Sequence, residues 1–243
     1  MPRYPGYSNV TYSFGPDGMS PAVRAIIWSN IAAFIVTWFA RVVVDYLALT
    51  PADVFERGWL WQPVTYMFLH AGVFHILFNL LGIWMFGVEL ERMWGTLYFV
   101  KLYLVSGLGA AATMLLLGLV SPQMYNASTI GASGAFFGLL LAYGLVFPNR
   151  RILMFFLFPV PARYAVMVFG AIAFLFTTEA STSRTAHGAH LGGLVTAYLF
   201  LKAGRGGLTS EIKYRYVKWK MNRLRKKFDV YSGGRGPWDK HVH

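Results

Sequence analysis

Gly131-Ala132-Ser133-Gly134-Ala135-Phe136-Phe137-Gly138 sets a serine among glycines at the start of an apolar run. Small residues four apart, such as Gly134 and Gly138, are the usual means by which two membrane helices approach closely. A serine at a helix N-terminus is also where unpaired backbone N–H groups and the helix dipole favour a developing negative charge. Packing and chemistry both fit these eight residues, and the discrimination has to come from what the rest of the chain brings to the same depth.

The composition places that run in a membrane. Of 243 residues, 56% are hydrophobic and only 13% charged, and the mean hydropathy is +0.47; a soluble domain keeps roughly a quarter of its residues charged. No cysteine is present, which excludes disulfides, thiolate nucleophiles and thiolate metal sites, so any nucleophile is an oxygen. The net charge of +12 is unevenly spread: 12 of the 22 Lys and Arg lie from Lys202 onward. That asymmetry reads as a basic tail on one membrane face and not as a nucleic-acid groove. The first residues hold no basic stretch followed by a short apolar one, so no removable signal peptide is expected.

The apolar periodicity predicts six spans: Val23 to Leu49, Gly72 to Glu89, Leu97 to Val120, Ser133 to Phe147, Ala162 to Thr178 and His187 to Leu201. Arg41 and Asp45, one turn apart near the end of the first, are expected to pair or to reach the interface. Pro51 to Leu69 mixes Pro, Gly and charge with Phe55, Trp59, Trp61 and Tyr66, which suits a segment lying partly in the interface. Ile152 to Pro161, interrupted by Pro159 and Pro161, is expected to be an interfacial lead-in to the fifth span. Arg92, Lys101, Arg150, Arg151 and the tail fall on one side, so the positive-inside rule puts both termini in the cytoplasm. The organisation expected is a lead-in over 1–22, a six-helix membrane domain over 23–201 and a basic cytoplasmic tail over 202–243. The fourth span is short: fifteen residues give about 22 Å against roughly 30 Å of hydrocarbon. Ser133 is thereby expected below the outer surface, at the floor of a cavity that holds water.

Polar side chains inside membrane helices are costly and each needs a reason. His75 and Asn79 lie four apart on the second span, Ser133 opens the fourth, and His187 and His190 open the sixth. The orientation puts all of these near outer helix ends. A serine hydroxyl needs a base, and an imidazole is the usual one, so Ser133 with His190 makes a dyad. His75, the Asn79 amide and the Ser133 backbone N–H are candidate oxyanion donors. No Asp or Glu is available to orient the histidine. Each piece has a structural counterpart reading: His75 and Asn79 as interhelical hydrogen-bond glue, Gly192, Gly193 and Ala197 as packing positions, and Glu89, Glu91 and Arg92 as structural pairing. A three-histidine zinc site would have only Glu179 as a nearby acid, and no metal or other cofactor is expected.

The pieces HAGVFHILFN (His70, His75, Asn79), GVELERMWG (Gly87, Glu91, Arg92, Gly95), GASGAFFG (Gly131, Ser133, Gly134) and AHLGG (His190, Gly193) resemble, in kind and order, those of rhomboid intramembrane serine proteases. The resemblance covers Leu49 to Leu201. It implies an all-α six-helix bundle with a half-embedded first outer loop, Ser133 as nucleophile, His190 as base, and His75, Asn79 and the Ser133 amide as oxyanion hole. Phe137, Gly131, Gly134 and Gly193 are implied as support, and Thr177 to Ala186 as a mobile outer cap. The implied substrates are transmembrane helices of partner proteins, cut near their outer end after a small residue, in the bacterial cytoplasmic membrane. A silent rhomboid-like module that binds such helices is the alternative; a small transporter would need paired broken helices, which the chain lacks. The sequence departs from the family pattern at Phe137, often a Tyr, and at Ala197, often a Gly, which predicts slightly wider spacing of the fourth and sixth helices. In the tail, Ser210 and Glu211 start a stripe of Val217, Met221, Leu224 and Phe228 between basic faces, expected as an amphipathic helix on anionic inner-leaflet lipids. Nothing in the sequence fixes the oligomeric state.

Overall fold

The computed structural model describes residues 16–154, 158–178 and 184–204. The chain is mostly helical: α1 (Pro21–Phe39), α2 (Val42–Leu47), α3 (Pro51–Arg57), α4 (Gln62–Thr65), a 3-10 turn (Tyr66–Phe68), α5 (Val73–Trp94), α6 (Thr96–Val120), α7 (Pro122–Tyr125), α8 (Ser133–Val146), α9 (Ala162–Thr178) and α10 (Arg184–Gly204). Among the described residues, α1, α5 and α6 are long and apolar enough to cross a membrane, and α8 and α9 are shorter apolar helices. The amphipathic stripe expected after Ser210 and the middle of the outer cap lie outside the described residues.

The first apolar run is not one helix. It breaks at Ala40 (φ −121°, ψ 72°) into α1 and α2, after nineteen residues that already give about 28 Å, close to the thickness of a bilayer core. Arg41 and Asp45 do not pair; among the described residues the ion pairs are Arg57–Asp53 and Arg150–Glu89.

A second correction concerns residues 151–161. These form two antiparallel strands, β1 (Arg151–Met154) and β2 (Phe158–Pro161), with Ile152 opposite Val160 and Leu153 opposite Pro159. Prolines two apart turn both missing N–H groups to one edge, so the other edge is still able to pair.

Helix ends are held by the charged residues of α5. Glu91, buried, accepts hydrogen bonds from the backbone N–H groups of Ala22 (2.9 Å) and Val23 (3.0 Å) and from Thr96 Oγ1 (2.7 Å), and from Ser20 Oγ as well. One carboxylate thus caps α1 at its positive end and ties it to the start of α6. Arg92 donates to the Asp17 carbonyl, and Glu89 pairs with Arg150 beyond α8. The structural reading of these three residues therefore holds.

The segment between α2 and α5 folds as a layer with two faces. Leu60, Trp61 and Val64 are exposed, whereas Gln62, Tyr66, Met67 and Leu69 are buried. Gln62 Oε1 accepts the Thr50 N–H at 3.0 Å, and Leu49 and Thr129 exchange backbone hydrogen bonds of 3.0 and 2.8 Å. These bonds tie the first loop to the loop that leads into α8.

At the centre, α8 lies against α6 through residues with almost no side chain. A Cβ on Gly134 would stand 2.4 Å from that of Ala110, and one on Gly138 2.3 Å from Ser106 Oγ. Ser106 and Ala110 are themselves four apart, so a small-residue stripe on each helix faces the other.

Candidate active site

Ser133 is the first residue of α8, where N–H groups have no intrahelical acceptor. The chain enters through Gly131, whose φ of +122° is one that L residues rarely adopt. Its N–H donates to the Tyr66 carbonyl at 2.9 Å. A Cβ here would also lie only 2.9 Å from His75 Cε1 and Nε2, so glycine is required twice: for the turn and for the approach of the imidazole.

Ser133 Oγ and His190 Nε2 are 2.8 Å apart. The Phe137 ring stacks on the His190 imidazole, centroids 4.2 Å apart and planes within 7°, and His187 meets His190 edge-on at 5.7 Å. Phe137 supplies the stack without a hydroxyl, as its residue type requires.

Backbone packing sets that 2.8 Å distance. A Cβ on Gly193 would fall 2.0 Å from the Gly134 carbonyl oxygen; only hydrogen fits between α10 and the first turn of α8. One turn further, Ala197 is fully buried, and its Cβ would be 3.2 Å from one on Gly138. Its methyl is accommodated by the glycine opposite, without separation of the two helices at Gly193.

His75 Nδ1 accepts the Ala71 backbone N–H at 3.3 Å. That bond leaves the proton on Nε2, which together with Cε1 is the ring edge turned toward Gly131. Asn79 is buried and gives one amide N–H to the His75 carbonyl at 2.7 Å; its other amide N–H is not committed by that bond. His75, Asn79, Ser133 and His190 line one cavity of about 300 Å³ whose remaining walls are Phe74, Phe78, Phe136 and Phe137. A mostly apolar cavity with four convergent polar groups is the usual form of a small ligand or reaction site. Of the eight residues that the resemblance implies as site and support, His75, Asn79, Ser133, Phe137 and His190 line the cavity, and Gly131, Gly134 and Gly193 are at close contacts beside it.

Tyr66 is the contributor that sequence reasoning missed. Fully buried, it donates from its hydroxyl to the Gly107 carbonyl at 2.8 Å while its own carbonyl holds Gly131. One residue thereby joins the approach to Ser133 to α6. Among Trp59, Trp61 and Phe68 it reads in the sequence as one more interfacial aromatic, and no spacing marks it.

A family model described as the Rhomboid domain matches residues 57–204, more than half of the chain. The chain belongs to the rhomboid family. As a rhomboid with these apolar helices, it is a multi-pass membrane protein. It is similar to RHOMBOID-like protein 12, mitochondrial, of Arabidopsis thaliana, with 26% identity over 80% of this chain and 62% of that protein. Rhomboid protease GluP of Bacillus subtilis is 32% identical over 60% of this chain and 26% of its own length. Putative rhomboid protease YdcA, from the same organism, is 29% identical over 73% of this chain and 82% of its own length. The chain therefore spans less than two thirds of RHOMBOID-like protein 12 and about a quarter of GluP.

Proposed function

We propose that this rhomboid is an intramembrane serine endopeptidase that cuts transmembrane helices of partner proteins near their outer end. The observation that carries the reading is the 2.8 Å contact between Ser133 Oγ and His190 Nε2, in a cavity with further donors. His190 Nε2 takes the hydroxyl proton as Ser133 Oγ attacks the scissile carbonyl. The oxyanion is met by the Nε2–H of His75, the second amide N–H of Asn79 and the Ser133 backbone N–H. His190 then passes its proton to the leaving amine. Water in the cavity adds to the acyl-enzyme with His190 again as base, which restores the serine and releases the carboxylate. Among the described residues no carboxylate is seen to orient His190; the Phe137 ring stacks on its plane.

The topology that goes with this reading has six spans, α1, α5, α6, α8, α9 and α10, with both termini cytoplasmic in a bacterial cytoplasmic membrane. The membrane domain is 23–201 and the basic tail 202–243 lies on anionic inner-leaflet lipids. The short α8, 14 residues or about 21 Å, sets Ser133 below the outer surface. Apolar walls and a volume of about 300 Å³ suit a small residue before the cut. A peptide bond in a helix is shielded, so the substrate unwinds locally and enters as α9 or the outer cap moves. Reconstitution in liposomes with a test transmembrane substrate checks the reading: Ser133→Ala and His190→Ala should each lower cleavage by at least about 10³-fold. Turnover retained in His190→Ala would transfer the base role to His187. Absence of any cleavage by the wild type, with substrate helices still bound, would favour the silent helix-binding module.

A further inference from the structure

A second cavity, of about 440 Å³, lies between the end of α1, α2 and the loop entering α5. Three kinds of group face it. Trp38 and Val42 belong to its apolar wall and are also exposed, at 55% and 64%; on a chain with membrane-spanning helices that wall meets acyl chains. Arg41 and Asp45 line it as a cation and an anion one turn apart that form no ion pair with each other or with another described residue. His70 lines it too and is only 7% exposed.

His70 is the group that asks for a ligand. The Phe68 carbonyl lies on one side of the ring, yet neither ring nitrogen has a hydrogen-bond partner of acceptable geometry. Burial, reinforced by neighbouring His75, pushes its pKa down to about 4, so the ring is neutral and carries one donor and one acceptor. A buried polar group left in this state costs free energy that a bound polar ligand recovers. An anion alone would meet Asp45, and a cation alone would meet Arg41; a ligand with both charges a few ångströms apart satisfies both.

We propose that this cavity binds the headgroup of an ethanolamine phospholipid, the phosphate on Arg41 and His70, the ammonium on Asp45, and the acyl chains along Trp38 and Val42. The assignment rests on membrane embedding and is independent of the Ser133–His190 dyad. It is tested on the full chain in detergent by native mass spectrometry with phosphatidylethanolamine titrated in. One lipid should be retained, and Arg41→Gln and Asp45→Asn should each weaken retention about tenfold. Asp45→Asn should in addition strengthen retention of phosphatidylglycerol, since the opposing charge is gone. His70→Phe should weaken both lipids, and Ser133→Ala should change neither. Arg41 and Asp45 are exposed, so their variants test the site even if His70→Phe fails to fold. Equal retention of the two lipids by the wild type would overturn the proposal, as would wild-type retention in both charge variants. Displacement of the lipid by glycerophosphoethanolamine at a similar concentration would also overturn it, since the acyl chains would then have no part.

Discussion

The two flanks of α8 are built on opposite terms. Toward α10 the contact is backbone against backbone, at Gly193 and Gly134, and toward α6 Gly134 and Gly138 lie against the small side chains of Ala110 and Ser106, so that none of the three glycines leaves space for a methyl group. Toward the N-terminal part of α5 the first turn of α8 faces a cavity of about 300 Å³ walled by phenylalanines, of which Phe74 and Phe78 are largely exposed. On the proposed reading, the difference is how the Ser133–His190 pair is kept in register. The closed flank packs the helices that carry Ser133 and His190, and the open flank is where the proposed donors and substrate would meet. Small residues that would by themselves indicate only helix packing are, at this seam, what sets the distance between Oγ and Nε2.

The most damaging way to break the contrast is to fill the closed flank. Gly193→Val places carbon against the Gly134 carbonyl, which cannot swing aside as a side chain would. Overpacking of this kind should cost about 3 kcal/mol of stability and remove cleavage, as measured by thermal unfolding in detergent together with turnover in liposomes. Wild-type behaviour in both would mean that the seam does not set the dyad.

On the open flank the effect should fall on rate with the fold intact. His75→Ala should lower kcat by about 10²–10³-fold, with KM and the melting temperature nearly unchanged; a shift mainly in KM would reduce His75 to a substrate contact. The smallest effect belongs to the ring that links the flanks. Phe137→Leu removes the stack on His190 and should cost about tenfold in kcat/KM, and Phe137→Tyr should restore the wild-type value. Equal loss in both variants would assign the ring to packing alone.

Much of this site is legible in the sequence because lipid makes polar residues conspicuous. Ser133, His75, Asn79 and His190 stand out as costs that apolar helices do not otherwise bear, and their helix positions are enough to bring them to one depth. The start of α8 at Ser133 and of α9 at Ala162 is read directly from the chain. Elements decided by backbone hydrogen bonds that leave no apolar period are not legible. The pairing of β1 with β2 is masked by two prolines whose harmlessness depends on which edge they face. The bond from Gly131 to the Tyr66 carbonyl joins residues 65 apart and leaves no periodic trace. Resemblance to the family supplied roles for the residues, whereas the close approach of Gly193 to Gly134 explains physically why a two-residue dyad is held in place.

The most direct test of that account is covalent labelling of the full-length protein by a fluorophosphonate, with the modified residue located by peptide mass spectrometry, in detergent and again in liposomes. The account predicts a single adduct on Ser133, absent in Ser133→Ala and strongly slowed in His190→Ala. Labelling at equal rate in wild type and Ser133→Ala would contradict it.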